Sequence, residues 1–171
     1  MRTLLFNEIK KEMPNSSALG AFNSSLASSH IGFVNVTGGN LSKDLIEHTA
    51  RQMKSLGINE NIKFKLVNLK NNVGQVRLNE NSNKVASIEI SKQAKGSVIK
   101  EFIAHELTHV KQINNGDLQY KNGGVFWKGK QVMTKKEFDK HSKIKTIEDF
   151  NRYKSVAWEK EAYKRGDKYK I

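Results

Sequence analysis

An apolar stripe at helical spacing, enclosing two histidines, constrains the fold of this chain more than any other feature. Val98, Ile99, Phe102, Ile103, Val110 and Ile113 recur at intervals that predict a long helix. It begins near Gln93 or Ser97 and runs to Asn115, where Gly116 stops it. Inside the stripe the chain reads His105-Glu106-Leu107-Thr108-His109, an H-E-x-x-H motif. Residues four apart on a helix share a face one turn apart, so both imidazoles can grip one ion. Neutral imidazole is a good zinc ligand. Glu106, next to the first histidine, is placed to take a proton from a water that the metal activates. The competing reading of this spacing is a structural histidine pair. Its setting, within an apolar stripe and after three strands, is the one the metal motif requires.

The strands are legible as alternation. Ile62, Phe64 and Leu66 alternate with lysines, Val76 and Leu78 flank Arg77, and Ala86, Ile88 and Ile90 alternate with Ser87 and Glu89. Asn71-Asn72 and Asn81-Ser82-Asn83 are the turns between them. Before them, Ser42 is an N-cap, Leu45, Ile46, Thr49, Met53 and Leu56 form a helical stripe, and Gly57 ends it. Ile31 to Val36 reads as a strand closed by Gly38-Gly39. After Gly116, Asn122-Gly123-Gly124 between short apolar runs predicts a hairpin. Thr134 to Glu137 and Thr146 to Asp149 are helix-start boxes, and a last helix spans about Ser155 to Arg165, followed by Gly166. The expected fold is α+β: a helix and a small antiparallel sheet packed on the long motif helix, then a mostly helical C-terminal part. Residues 41–171 form that domain. Residues 1–40 are an N-terminal arm or appendage, with an amphipathic helix over 1–13 ended by Pro14 and a Ser- and Asn-rich stretch to Ser29.

Composition narrows the chemistry. The 171 residues include no cysteine, which excludes disulfides, thiolate zinc fingers, iron–sulfur clusters and cysteine nucleophiles. No apolar run approaches the roughly 20 residues of a membrane span. Asn7, Glu8, Lys10 and Lys11 interrupt the N-terminus too early for a signal-peptide core, so a cytoplasmic location is expected. Thirty Lys and Arg against 17 Asp and Glu leave a net charge of +13. That balance suits a polyanion such as nucleic acid. The charges are nevertheless dispersed and not interleaved with aromatic residues, so a solvated basic surface is the stronger reading.

Two histidines do not complete a catalytic zinc site, which usually takes three protein ligands. A third histidine six residues on would fall at Asn115. The best remaining source is the last helix, Val156-Ala157-Trp158-Glu159-Lys160-Glu161-Ala162-Tyr163. With its Glu159-x-x-Ala162 ending, the chain resembles the gluzincin group of zinc metallopeptidases over roughly residues 41–166. It is most similar to short, minimal, often phage-encoded members. They show a comparable His-Glu-Leu-Thr-His-Val-x-Gln stretch (His105 to Gln112), a Trp-x-Gly hairpin (Trp127, Gly129) and a Trp-Glu-x-Glu-Ala ending (Trp158 to Ala162).

The resemblance implies a zincin-like fold and zinc held by His105, His109 and Glu159. It implies Glu106 as general base, a peptide or protein substrate, and a location in host cytoplasm or a phage particle. A basic particle component or nucleic-acid-associated protein that keeps the fold with little activity is the alternative. Helix phase also separates the two glutamates. Ala162 and Tyr163 share a face with Glu159, whereas Glu161 turns toward Lys160 and Lys164, within reach of Arg165. Three departures from the group concern rate and the support of the ligands: Tyr163 where many members carry Asp, Lys111 at an often apolar position, and no proline near Ser155-Val156-Ala157.

Tyr120, His141, Arg152, Tyr153 and Tyr163 are the candidate oxyanion donors. His30 and His48 are expected to be structural or exposed, His48 without an evident partner, and Glu89 to face solvent. Its strand is expected at the sheet edge, open to an extended peptide. Trp127 and Trp158 are expected to pack in the C-terminal core.

Overall fold

The computed structural model describes residues 3–5, 30–69, 73–79, 84–121 and 123–169. Their order is β1 (Thr3–Leu5), β2 (Val34–Thr37), α1 (Lys43–Leu56), β3 (Ile62–Val67), β4 (Gly74–Leu78), β5 (Val85–Ser91), α2 (Ser97–Asn114), β6 (Leu118–Lys121), β7 (Gly124–Trp127), β8 (Lys130–Thr134), α3 (Lys135–His141), α4 (Ile147–Ser155) and α5 (Ala157–Gly166). A 3₁₀ turn over Asp167–Tyr169 follows. The class is α+β, as expected.

α1 begins and ends where its side chains dictate. The Ser42 hydroxyl accepts a hydrogen bond from the Leu45 N–H at 3.3 Å, and Gly57 closes the helix at φ 69°, a conformation that costs glycine little. Thr134 and Thr146 form full capping boxes with Glu137 and Asp149, starting α3 and α4 where the sequence places them. The last helix is continuous over Ala157–Gly166, and Val156, extended at φ −69° and ψ 148°, separates it from α4.

The main sheet departs from expectation. It has five strands in the order β1-β4-β5-β3-β2, and it is mixed. β2, β3 and β5 run parallel, while β4 pairs antiparallel with β5 and β1 antiparallel with β4. An all-antiparallel sheet assumes that consecutive strands are neighbours. Here β5 inserts between β3 and β4, and alternation specifies which face a strand buries but not which strand lies beside it. β5 is therefore central and cannot receive a peptide at its edge.

Glu89 does not face solvent. It is buried beside Gln75 and accepts a hydrogen bond from Arg77 Nε at 3.0 Å. β1 and β2, both N-terminal to residue 41, are strands of this same sheet. β1 is extended over Thr3–Leu5, where an amphipathic helix is expected. The remainder of that helix, Pro14, the stretch to Ser29 and both asparagine turns lie outside the described residues.

A row of aligned residues crosses the sheet: Val36 opposite Phe64, Phe64 opposite Ile88, Ile88 opposite Val76. Phe64, Val76 and Ile88 are fully buried in one core cluster with Phe102, Ile103, Leu107 and Val110 of α2. Gly74 permits that packing, because a Cβ there would collide with the Phe102 ring. β6, β7 and β8 form a separate antiparallel meander. Its first turn is the expected hairpin around Gly123. Its second uses Lys128 at φ 49° and Gly129 at φ 80°, the pair of left-handed residues of a type I′ turn. Trp127 and Trp158 approach each other, ring centroids 6.3 Å apart, in the C-terminal part. Among the described residues, no helix is long and apolar enough to cross a membrane.

Candidate metal centre

One face of α2 enters the core against the sheet, and the opposite face meets α5. Ala162 is fully buried at this contact. A Cβ on Gly166 would stand 3.2 Å from the Glu101 backbone oxygen and 3.6 Å from the His105 Cβ, so the helices stay close to the end of α5. Small residues at 162 and 166 thus bring a glutamate one turn away within reach of both histidines.

His105 Nε2 lies 3.1 Å from His109 Nε2, and the Glu159 carboxylate lies 3.3 Å from the first and 3.4 Å from the second. Among the described residues these three form a group able to hold a metal ion, and all three are buried. Ligands about 2.0–2.1 Å from a tetrahedral ion are separated by about 3.3 Å, so the three spacings match the edges of such a site. Burial disfavours the Glu159 carboxylate, but the facing His109 and His105 outweigh it and hold its pKa well below the usual range. Burial likewise opposes an imidazolium at His109, yet Glu159 overcomes it and lifts the pKa to about 9. At His105 burial is the largest influence and lowers the pKa, against the opposing pull of Glu159. The Glu159 carboxylate thus faces both imidazoles at one point, where a positive charge is favoured. A proton on His109 supplies it without metal, and a bound cation would take that proton's place.

Two hydrogen-bonded supports stand behind the ligands. Gln112 Oε1 lies 2.8 Å from His109 Nδ1, while Gln112 Nε2 donates to the Trp158 carbonyl at 3.1 Å and to Glu161 at 3.0 Å. Because the amide nitrogen serves those two acceptors, Oε1 must accept from His109 Nδ1–H, which turns Nε2 toward the pocket. Tyr153 of α4 donates its hydroxyl to Glu159 Oε1 at 2.7 Å. In the sequence Gln112 is only the last residue of the His105–Gln112 stretch, with no role of its own. Its signal was its place three residues after His109, on the same helix face.

The structure brings His105, His109 and Glu159 together and leaves Glu161 out. Glu161 is exposed and pairs with Gln112, not with Arg165, which bonds Gln52 and Ser55 on α1. Glu106 is buried beside the ligands, and burial lifts its pKa to about 8. Of the proposed oxyanion donors, Tyr153 is engaged with Glu159, Tyr163 packs its ring on His105 at 4.5 Å, Tyr120 on Phe138 at 5.5 Å and His141 on Tyr153 at 6.0 Å. Arg152 pairs with Asp149. His30 bonds Asn59, and His48 is buried with Nε2 3.2 Å from the Lys100 carbonyl. The chain matches no family model, no curated protein and no solved structure.

Proposed function

We propose that this chain is a zinc-dependent metallopeptidase of the gluzincin type, with a zincin-like arrangement of sheet, motif helix and ligand helix. The observation that carries this reading is the convergence of His105, His109 and Glu159 at tetrahedral spacing on a helix that also presents Glu106. A set of two imidazoles and one carboxylate suits zinc over magnesium or calcium, which favour all-oxygen sites.

Bound zinc would supply Lewis acidity toward water and toward a peptide carbonyl. The chain's own residues do the rest. His105, His109 and Glu159 hold the ion, with Gln112 and Tyr153 fixing the orientation of two of them. Glu106 takes a proton from the attacking water and returns it to the leaving amine.

The test is metal content and activity on the same sample. Protein purified without chelator should carry about one zinc per chain. Glu106→Gln should retain the metal while peptide hydrolysis falls by about 10²–10⁴-fold. A folded, metal-free sample that zinc does not stabilise would remove the basis for the reading.

One observation favours a second reading, a zincin-like structural or nucleic-acid-associated protein with little activity. All four residues are closed to solvent, none more than 2% exposed. A zinc ion with four protein ligands, or nanomolar binding to duplex DNA at physiological salt, would select that alternative.

A further inference from the structure

A concave cleft of about 650 Å³ lies between α1, α2 and the end of α5, and its lining includes none of His105, Glu106, His109 and Glu159. Its lining is basic. Arg51 comes from α1, Lys100 from α2, Arg165 from α5 and Lys168 from the 3₁₀ turn, with His48, Gln52 and Ser55 beside them. Among the described residues, no carboxylate lines it. Two carboxylates of α1 reach the cations from outside: Asp44 sits 2.7 Å from Lys100 Nζ, and Glu47 3.8 Å from Arg51.

Arg165 separates this cleft from an ordinary lysine-rich surface. Its Nε donates to Gln52 Oε1 at 3.2 Å and its Nη2 donates to the Ser55 hydroxyl, so the guanidinium is held by a helix more than a hundred residues away in sequence. The side-chain entropy that an exposed arginine loses on gripping a ligand has already been lost in folding. His48 and Gln52 are nine-tenths or more buried, and His48 Nε2 lies 3.2 Å from the Lys100 carbonyl.

We propose that this cleft is an anion site that takes a phosphoryl group. Two guanidinium and two ammonium groups lining one concavity suit the oxygens of a phosphoryl anion, which arginine recognises through paired N–H donors. The volume is that of a small-molecule site, and a free phosphate ester or one phosphodiester of a nucleic-acid backbone would present the same chemistry to it. Lys100 exchanges Asp44 for the ligand, and Arg51 and Lys168 close over it from the rim. The site does not depend on the metal centre.

The experiment is a titration of the full chain with pyrophosphate at constant ionic strength. It is followed by calorimetry and by the His48 imidazole signals in NMR at fixed pH, and run with and without zinc. The expected result is saturable binding that moves the His48 signals. Arg51→Ala and Lys168→Ala, both exposed rim substitutions that keep the fold, should weaken it by about tenfold or more each, because hydrogen bonds to charged groups are worth that much. A short single-stranded oligonucleotide that displaces pyrophosphate at lower concentration assigns the phosphoryl group to nucleic acid. Binding by pyrophosphate alone assigns it to a small ester. No saturable shift at millimolar pyrophosphate, or wild-type affinity in both variants, overturns the site. Neither result bears on zinc content, so failure here is distinct from failure of the metallopeptidase reading.

Discussion

Glu159 and Glu161 differ by two residues and have opposite fates. Glu159 is fully buried between two imidazoles, whereas Glu161 is exposed on the far side of Gln112. Glu159→Ala should therefore lose most metal affinity, and Glu161→Ala should leave it near normal. A competition titration with a chromophoric chelator measures both. Gln112 offers a finer test. Gln112→Leu removes the acceptor for His109 Nδ1–H and leaves that donor buried, and loss of such a support typically costs about 10–100-fold in metal affinity. Gln112→Glu restores an acceptor and should recover much of that loss. The choice of Glu159 was legible from helix phase, since Ala162 and Tyr163 follow it by three and four residues. The engagement of Tyr153 with Glu159 was not legible, because it depends on the bend at Val156, which carries no proline or glycine to announce it.

At the scale of elements, ends were more legible than neighbours. Ser42, Gly57, Thr134, Thr146 and Gly116 mark boundaries through their own backbone and side-chain chemistry, and the structure places helix ends beside each. Strand order was hidden, because the parallel pairing of β3 with β5 is set by how α2 covers the sheet and not by any local residue. Gly74 is where that cover is tested. Gly74→Ala would press a methyl group into the Phe102 ring and the Glu89 backbone carbonyl and should destabilise the fold by about 3 kcal/mol or more, read as a lower denaturant midpoint with unchanged m-value. The exposed cap Thr146 is milder. Thr146→Ala should cost about 1 kcal/mol, by the same measurement.

For the whole molecule, His48 links stability to pH. Burial is the largest influence on it, and Lys100 and Arg51 act in the same direction. Its bond to the Lys100 carbonyl and the Asp44 charge oppose them, and the net effect lowers the folded pKa from 6.5 to about 4. The unfolded state then binds the proton more readily than the folded state between these values. The stabilising effect is complete above about pH 6.5 and is lost as pH falls toward 4, up to about 3 kcal/mol at 1.36 kcal/mol per unit. Denaturant unfolding of the wild type and of His48→Gln across that window should show the steeper acid loss in the wild type. Equal slopes would place the titration elsewhere.

The three groups able to hold a metal ion also have a topological consequence. Glu159 follows His109 by 159 − 109 = 50 residues, and everything between them, the meander and α3 and α4, is a single excursion of the chain. Any cation held by the three ligands acts as a reversible clasp on that loop, joining its two ends without a covalent bond. Chelation should open the clasp and let the C-terminal helices part from the core long before the sheet melts. Cleavage by trypsin in the Lys140–Lys145 segment, slow with metal and fast without it, would then report occupancy of the site without any assay of activity.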